Sequence, residues 1–257
     1  MNAQPLARRS IVVTRPERQA AGLAHLIEAA GGRALRYPAI GIEPVRSQAL
    51  DALIGALSSF DLAIFISRNA VEQGLGRVRD LGALPFLPRV ASLGTGTRKA
   101  LESEGLQQVI APAGPADSEA LLAQPQLEDV RGRRVLIFRG VGGRELLAST
   151  LRSRGASVEY AECYRRLSPP TDVQPLIAEW SRGAVDAVTV SSGEGLANFA
   201  ALLGKAGLAF LRAAPLFVPH PRVADEARAI GVARVMVGGA ADDEMLGALV
   251  AYFGRSG

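Results

Sequence analysis

Short apolar runs alternate with longer amphipathic stretches along this 257-residue chain. Runs at 10–14, 61–66, 90–93, 108–110, 134–138, 186–190, 216–218 and 234–237 keep their polar residues mainly at the ends. That is the pattern of strands buried on both faces of a sheet. Between them, apolar residues recur at helical spacing over about 17–30, 47–57, 69–80, 96–104, 117–123, 143–154, 172–182, 193–205, 222–230 and 242–253. Gly31, Gly105, Gly155 and Gly231 stand where helices should stop, and Asp117 and Asp242 are N-cap candidates. Strands alternating with helices predict parallel sheets with right-handed crossovers. Residues 36–46 and 158–170 break the alternation; they are extended and proline-bearing, and read as connectors.

The pattern occurs twice, at an offset of about 125 residues. Ile11-Val12-Val13-Thr14-Arg15 matches Val135-Leu136-Ile137-Phe138-Arg139, and Leu23, Ile27 and Gly31 align with Leu147, Leu151 and Gly155. Phe60 to Ser67 aligns with Val185 to Ser192, Gly105 with Gly231, and Asp117, Glu119 and Leu121 with Asp242, Glu244 and Leu246. A period this long is not that of a solenoid. The chain reads as two copies of one α/β unit.

Composition changes this picture little. Apolar residues make up 48% and charged residues 21%, which excludes a disordered or fibrous chain. No apolar run approaches the roughly 18 residues of a membrane span, and Met1 to Ser10 lacks the apolar core of a signal peptide. The lone cysteine, Cys163, cannot form an intramolecular disulfide and fits a reducing compartment, so a cytoplasmic protein is expected. The net charge is +4, and all the basic residues except Lys99 and Lys205 are Arg. Arg forks onto carboxylates and phosphates, although a GC-rich codon bias gives the same composition. With no long basic run and only 5% aromatic residues, nucleic acid is not the expected partner.

Three turns resemble nucleotide motifs and fail them. Gly94-Thr95-Gly96-Thr97-Arg98-Lys99 has Lys where a dinucleotide fingerprint needs a small residue, and Gly140-Val141-Gly142-Gly143-Arg144-Glu145 fails at Glu145. Ser191-Ser192-Gly193-Glu194-Gly195 is no nucleophile elbow, because Val190 precedes the serines. His25, His220 and Cys163 make no zinc pattern, so no metal is expected. What survives is collective. Polar turns follow Arg15, Ser67, Gly94, Arg139, Ser192 and Pro219, all at carboxyl ends of strands, where open α/β sheets bind ligands. Free helix amides there favour anions.

These landmarks together resemble the uroporphyrinogen-III synthase family. The matching residues are Val13-Thr14-Arg15-Pro16, Phe65-Ile66-Ser67-Arg68-Asn69-Ala70-Val71, Leu93-Gly94-Thr95-Gly96-Thr97 and Phe138-Arg139-Gly140 through Gly143-Arg144. Cys163-Tyr164-Arg165, Val190-Ser191-Ser192 and Val218-Pro219-His220-Pro221-Arg222-Val223-Ala224 continue the match to the end of the chain. The resemblance implies an α/β protein of two doubly wound parallel-sheet lobes, an internal duplication joined by a two-stranded extended linker. Residues 1–36 would join 169–257 in one lobe, 45–157 would form the other, and 37–44 and 158–168 would be the inter-lobe linkers. It implies a cofactor-free enzyme that closes linear hydroxymethylbilane into uroporphyrinogen III, inverting the last pyrrole ring and losing water. The expected partner is that small linear tetrapyrrole, bound in a cleft between lobes by a monomer, with no nucleic acid or membrane.

Residue by residue, the resemblance places Thr14, Arg15, Ser67, Thr97, Arg139, Ser191 and Ser192 as substrate contacts, and Tyr164 as the catalytic hydrogen-bond donor to the departing hydroxyl. Many members carry Gly-x-x-Thr after the strand that here ends at Val218; this chain has Pro219-His220-Pro221-Arg222, with Arg222 as the replacement carboxylate contact. The alternative is a non-enzymatic, two-lobed small-anion sensor or binding protein, for which neither a DNA-binding helix-turn-helix nor a signal peptide is seen.

Overall fold

The computed structural model describes residues 4–113 and 117–254. The expected lobe ends at 1–3 and 255–257, and residues 114–116, lie outside the described residues. The chain divides into two units: unit 1 comprises residues 1–41 and 167–257, and unit 2 comprises 42–166.

Unit 1 is built on strands β1 (Ser10–Val13), β2 (Arg33–Arg36), β8 (Ala187–Thr189), β9 (Pro215–Val218) and β10 (Arg234–Val237), in the order β10-β9-β8-β1-β2. All its pairings are parallel. Alternate residues of β1 enter different cores: Ile11 and Val13 join Leu23, Ile27, Phe217 and Leu249, whereas Val12 joins Leu176, Phe199, Leu211 and Leu216. A strand with apolar neighbours on both faces has no polar positions to alternate with, which is why β1 reads as a plain apolar run.

Helices α1 (Glu17–Ala29), α8 (Gln174–Ser181), α9 (Gly193–Ala213), α10 (Pro221–Ala229) and α11 (Asp242–Gly254) complete unit 1. Helix α9 runs past the expected end at 205 by turning at Gly204, whose φ of 60° leaves the helical region. By length and composition α9 is a membrane-span candidate, which counting uninterrupted apolar runs did not register. Its Leu196, Phe199, Leu203 and Leu211 lie in the unit 1 core.

Unit 2 has the order β3-β7-β6-β4-β5, with β3 (Gly41–Pro44), β4 (Leu62–Phe65), β5 (Arg89–Ser92), β6 (Arg134–Gly140) and β7 (Ser157–Leu167). Its helices are α2 (Gln48–Gly55), α3 (Arg68–Ala70), α4 (Gly76–Asp80), α5 (Thr95–Ser103), α6 (Ser118–Leu122) and α7 (Leu146–Ser153). Phe65 and Phe138 are paired across β4 and β6, and their rings stack at 4.4 Å and 3°. A π-helical turn, Val71–Leu75, joins α3 to α4 where one helix over 69–80 was expected. Gly74 in that turn is packed so closely that a β-carbon would lie 2.6 Å from Phe138 Cδ1 and 3.2 Å from Cys163 Sγ.

Helices α1, α5, α7 and α10 are each followed by the expected glycine: Gly31, Gly105, Gly155 and Gly231 have φ of 85°, 87°, 88° and 92°. These are left-handed positions, which L side chains rarely adopt. Asp117 caps α6, accepting the Ala120 N–H at 2.8 Å. Asp242 does not cap α11. It forms the helix's first residue and pairs with Arg15, while Glu244 reaches back to the Ala241 N–H at 3.1 Å.

The expected connectors do more than connect. Residues 41–44 form β3, beside β7 in the unit 2 sheet, and 157–164 of β7 pair in parallel with β6. Residues 158–168 therefore lie largely within a sheet strand, because Val158, Ala161, Cys163 and Tyr164 carry enough apolar surface to pack on the unit 2 core. The expected strand at 108–110 is reduced to a single bridge between Ala91 and Ile110.

Candidate active site

The polar turns singled out above gather at the carboxyl ends of the strands, in each unit separately. In unit 2 the first of them is Ser67, just past β4. It caps α3 by accepting the Ala70 N–H at 3.0 Å. The same Oγ lies 3.0 Å from the Tyr164 hydroxyl.

A bulge puts Tyr164 there. Arg139 pairs with Glu162, but Gly140 pairs with Tyr164, so Cys163 is skipped in the register between β6 and β7. A bulge re-aims the side chains beyond it. Cys163 and Tyr164 are consequently both buried, although neighbours on a regular strand face opposite ways. The Tyr164 ring lies against Gly140, where a β-carbon would come within 2.8 Å of Cε2 and Cζ. Glycine is needed at 140 for space rather than for backbone angle. Cys163 sits in the same bulge as an inert thiol: burial pushes it up to about 12, far from a thiolate at neutral pH.

Arg139 is only 3% exposed and each of its three guanidinium nitrogens donates a hydrogen bond. Nε donates to the Gly140 carbonyl at 3.2 Å, one terminal nitrogen to Glu145 at 3.0 Å, and the other to the Gly142 carbonyl. Its Cζ lies 4.4 Å from the centre of the Tyr160 ring, and the Tyr160 hydroxyl donates to the second Glu145 oxygen. The hydrogen bonds from Tyr160 and then Arg139 hold the Glu145 carboxyl below the usual range, while burial and then the bond to Glu145 push the Tyr160 phenol up. The result is an Arg139–Glu145–Tyr160 triangle that shapes the turn after β6. Thr97 is buried in the first turn of α5, and Arg68 lies over Gly96 there, 3.1 Å from where a β-carbon would be.

In unit 1, Thr14 is buried, with its hydroxyl donating to the Thr189 carbonyl at 2.9 Å. Arg15, 6% exposed, pairs with Asp242 and donates to the Ala240 carbonyl at 3.2 Å. Ser192 caps α9, accepting the Gly195 N–H at 3.0 Å, and Ser191 beside it is half-buried. His220 is exposed immediately before α10, and His25 is exposed on α1. Arg222 is exposed in the first turn of α10, 3.8 Å from Glu226. The Glu226 carboxylate leans on Gly193 so closely that any β-carbon there would collide with it. It therefore rests beside the first residue of α9.

The structure thus sorts the expected contacts by what their donors are doing. Thr14, Arg15 and Arg139, expected as substrate contacts, are turned inward onto protein partners, Arg139 onto its own turn and Thr14 and Arg15 onto distant segments, because burial requires every polar group to be partnered. Ser67, Ser191, Ser192 and Arg222 retain exposed surface. Sequence reasoning missed the roles of Glu145, Tyr160, Gly140 and Glu226; Gly140 and Glu145 open and close a turn that reads in sequence as a failed nucleotide motif. No group of acidic, histidine or cysteine side chains suited to a metal occurs among the described residues.

Comparison with known proteins identifies the family and the fold. The family model described as uroporphyrinogen-III synthase HemD matches residues 21–246. The uroporphyrinogen-III synthase of Escherichia coli (strain K12) is 33% identical over 241 residues, covering 92% of this chain and 98% of the relative. That of Salmonella typhimurium is 34% identical over 242 residues, with the same coverage. In fold, the chain is similar to a mutant uroporphyrinogen III synthase from the extremely thermophilic bacterium Thermus thermophilus, with a TM-score of 0.62 at 20% identity over 97% of this chain and 100% of that one. It is also similar to the uroporphyrinogen-III synthetase of Helicobacter pylori 26695, at 0.59 and 14% over 95% and 99%. The reading as a sensor or binding protein finds no support in these relatives.

Proposed function

Because the chain belongs to the uroporphyrinogen-III synthase family, we propose that the carboxyl-edge turns described above hold its tetrapyrrole substrate and that the Ser67–Tyr164 pair assists the first chemical step. The enzyme is a cyclising lyase of haem biosynthesis that converts linear hydroxymethylbilane to uroporphyrinogen III.

In that first step the carbon–oxygen bond of the hydroxymethyl group breaks, the pyrrole nitrogen gives up its proton, and water leaves. The resulting azafulvene is attacked by the terminal pyrrole at its substituted carbon. The spiro intermediate fragments and recloses with the last ring inverted. Holding the chain in one curled conformation supplies most of the acceleration.

The observation that carries the assignment is the 3.0 Å contact between the Ser67 and Tyr164 hydroxyls. Two hydroxyls share one mutual bond, so one O–H remains to donate elsewhere. Tyr164 is only 2% exposed, whereas Ser67 is half-buried. Tyr164 therefore donates to Ser67, and Ser67 donates to the departing oxygen; Tyr164 orients the donor. The substrate carboxylates are received by the first turns of α5, α9 and α10, with Thr97, Ser191, Ser192 and Arg222 beside them. Glu226 marks the place at α9 that such a carboxylate would take. Thr14, Arg15 and Arg139 support these turns from behind. The scheme uses no cofactor, nucleic acid or membrane, and a single chain in the cytoplasm suffices.

We further propose that the sheets arose by duplication with exchange of the first unit. In support, β8-β9-β10 correspond to β4, β5 and the Ile110 bridge, while β1-β2 correspond to β6-β7. On that reading the lobes are residues 1–36 with 169–257, and 45–157, and the extended segments between them are the linkers.

The test incubates hydroxymethylbilane with wild type, Tyr164→Phe and Ser67→Ala and separates the product isomers. Losing one hydrogen bond of about 1–3 kcal/mol predicts isomer III formed roughly 5- to 150-fold more slowly by Tyr164→Phe. Ser67→Ala should be at least as slow and lose about 1 kcal/mol of stability with its cap. A Tyr164→Phe enzyme as fast as wild type would remove the orienting role.

A further inference from the structure

We infer that unit 1 carries a second ligand site, at the amino end of its sheet, suited to a planar aromatic carboxylate. A cavity of about 410 Å³ opens where Asp186 precedes β8, Pro215 begins β9 and Arg234 begins β10. That is within the size range of small-molecule sites, roughly 300–1,000 Å³. The turns assigned to the reaction lie at the opposite ends of these strands, so this inference is independent of that assignment.

Flat aromatic walls line the cavity. The Trp180 and Phe210 rings stack with centroids 6.0 Å apart and 11° between planes, and Tyr252 meets Phe253 edge-on at 5.1 Å. Such walls favour an offset or edge-packed ring over an aliphatic chain.

The charges determine which ring. Arg9 donates to one Asp186 oxygen at 2.9 Å and lies over the Phe253 ring at 4.7 Å; the other Asp186 oxygen accepts the Ser10 N–H at 2.8 Å. Asp186 is thus satisfied inside the protein. Arg234 donates to the Ala213 carbonyl at 2.6 Å and to the Tyr252 hydroxyl at 3.3 Å, both neutral acceptors. It has no carboxylate partner among the described residues. A guanidinium has five N–H donors, so Arg234 keeps three. One uncompensated cation beside stacked rings matches one carboxylate on a flat ring.

The chain has a single tryptophan, and it forms part of the cavity wall. Nitrogen-15-labelled protein therefore gives one indole N–H signal that reports the site. We would titrate it with naphthalene-2-carboxylate and, separately, with the neutral naphthalene-2-carboxamide. The expected result is a saturable shift with the carboxylate, at roughly 10-fold higher affinity than with the amide. Arg234→Gln, an exposed substitution, should weaken the carboxylate by the same factor and leave the amide unchanged. A shift that never saturates, or equal affinities of acid and amide for the wild type, overturns the proposal without reliance on the variant. A signal that moves with protein concentration alone would make this face a contact between copies and overturn it equally.

Discussion

Arg15 and Arg139 occupy aligned positions of the sequence repeat, and both are nearly wholly buried, yet they hold different things. Arg15 bonds to Asp242 and Ala240, more than two hundred residues away, and so ties the first strand to the last helix. Arg139 bonds to Gly140, Gly142 and Glu145, all within six residues, and so gives one turn its shape. The same residue at the same place is a long-range fastener in one sheet and a local former in the other. The difference lies in the partners: unit 1 offers Arg15 a helix start with a carboxylate, whereas β6 is followed by its own carbonyl-rich glycine turn.

The comparison breaks most visibly at Arg15. Arg15→Ala leaves Asp242 without its partner. Removing one member of a buried pair costs about 3–5 kcal/mol. Asp242 is 30% exposed, so a smaller loss of about 2–3 kcal/mol is expected. The thermal midpoint should fall by roughly 4–12 °C, read by calorimetry, while the surviving folded enzyme still makes isomer III. Arg139→Lys should do the reverse. An ammonium cannot span two carbonyls and a carboxylate from one plane. We expect a loss of about 1–2 kcal/mol of stability and a disproportionate fall in the rate of isomer III formation. Equal ratios of activity to stability in the two variants would erase the distinction.

The smallest effect is expected from pH at Glu145. Its carboxyl is depressed in the folded state by the Tyr160 hydrogen bond and then by Arg139. Its contribution is therefore present above the unfolded carboxylate value and lost as pH falls through the lower folded value. Wild type and Glu145→Gln should differ in stability near neutral pH and converge on acidification. Chemical denaturation across that range measures this, and curves that stay parallel would mean Glu145 holds nothing.

Much of the fold was legible because strands buried on both faces announce themselves as apolar runs. The strands that escaped lack that signature. β2 reads Arg-Ala-Leu-Arg and β3 Gly-Ile-Glu-Pro; each is at a sheet edge with most positions exposed or half-exposed. β7 shows neither a plain apolar run nor an alternation because Glu159 and Glu162 interrupt a stretch whose two faces enter different cores, Val158 and Tyr160 in one and Ala161 and Cys163 in the other. The site was legible as places and less so as roles. A polar residue after a strand marks a turn at the ligand end, but whether its donors face outward depends on partners such as Asp242 or Glu145. No local pattern around Arg15 points to the first of these.

The order of the strands also sets a schedule for synthesis. β1 accepts β8 as its neighbour, and Thr14 bonds to Thr189 at a separation of 175 residues. At about 5–20 residues per second, β1 leaves the ribosome roughly 10–35 s before its partner exists. Unit 2 is contiguous and can close during that interval, whereas an apolar opening segment waits with one face uncovered. A ribosome-bound chain halted after unit 2 should show residues 42–166 resistant to protease and residues 4–41 cut rapidly. Chaperone demand for this protein is thereby concentrated in its first forty residues, although Ile11, Val12 and Val13 are wholly buried in the finished molecule.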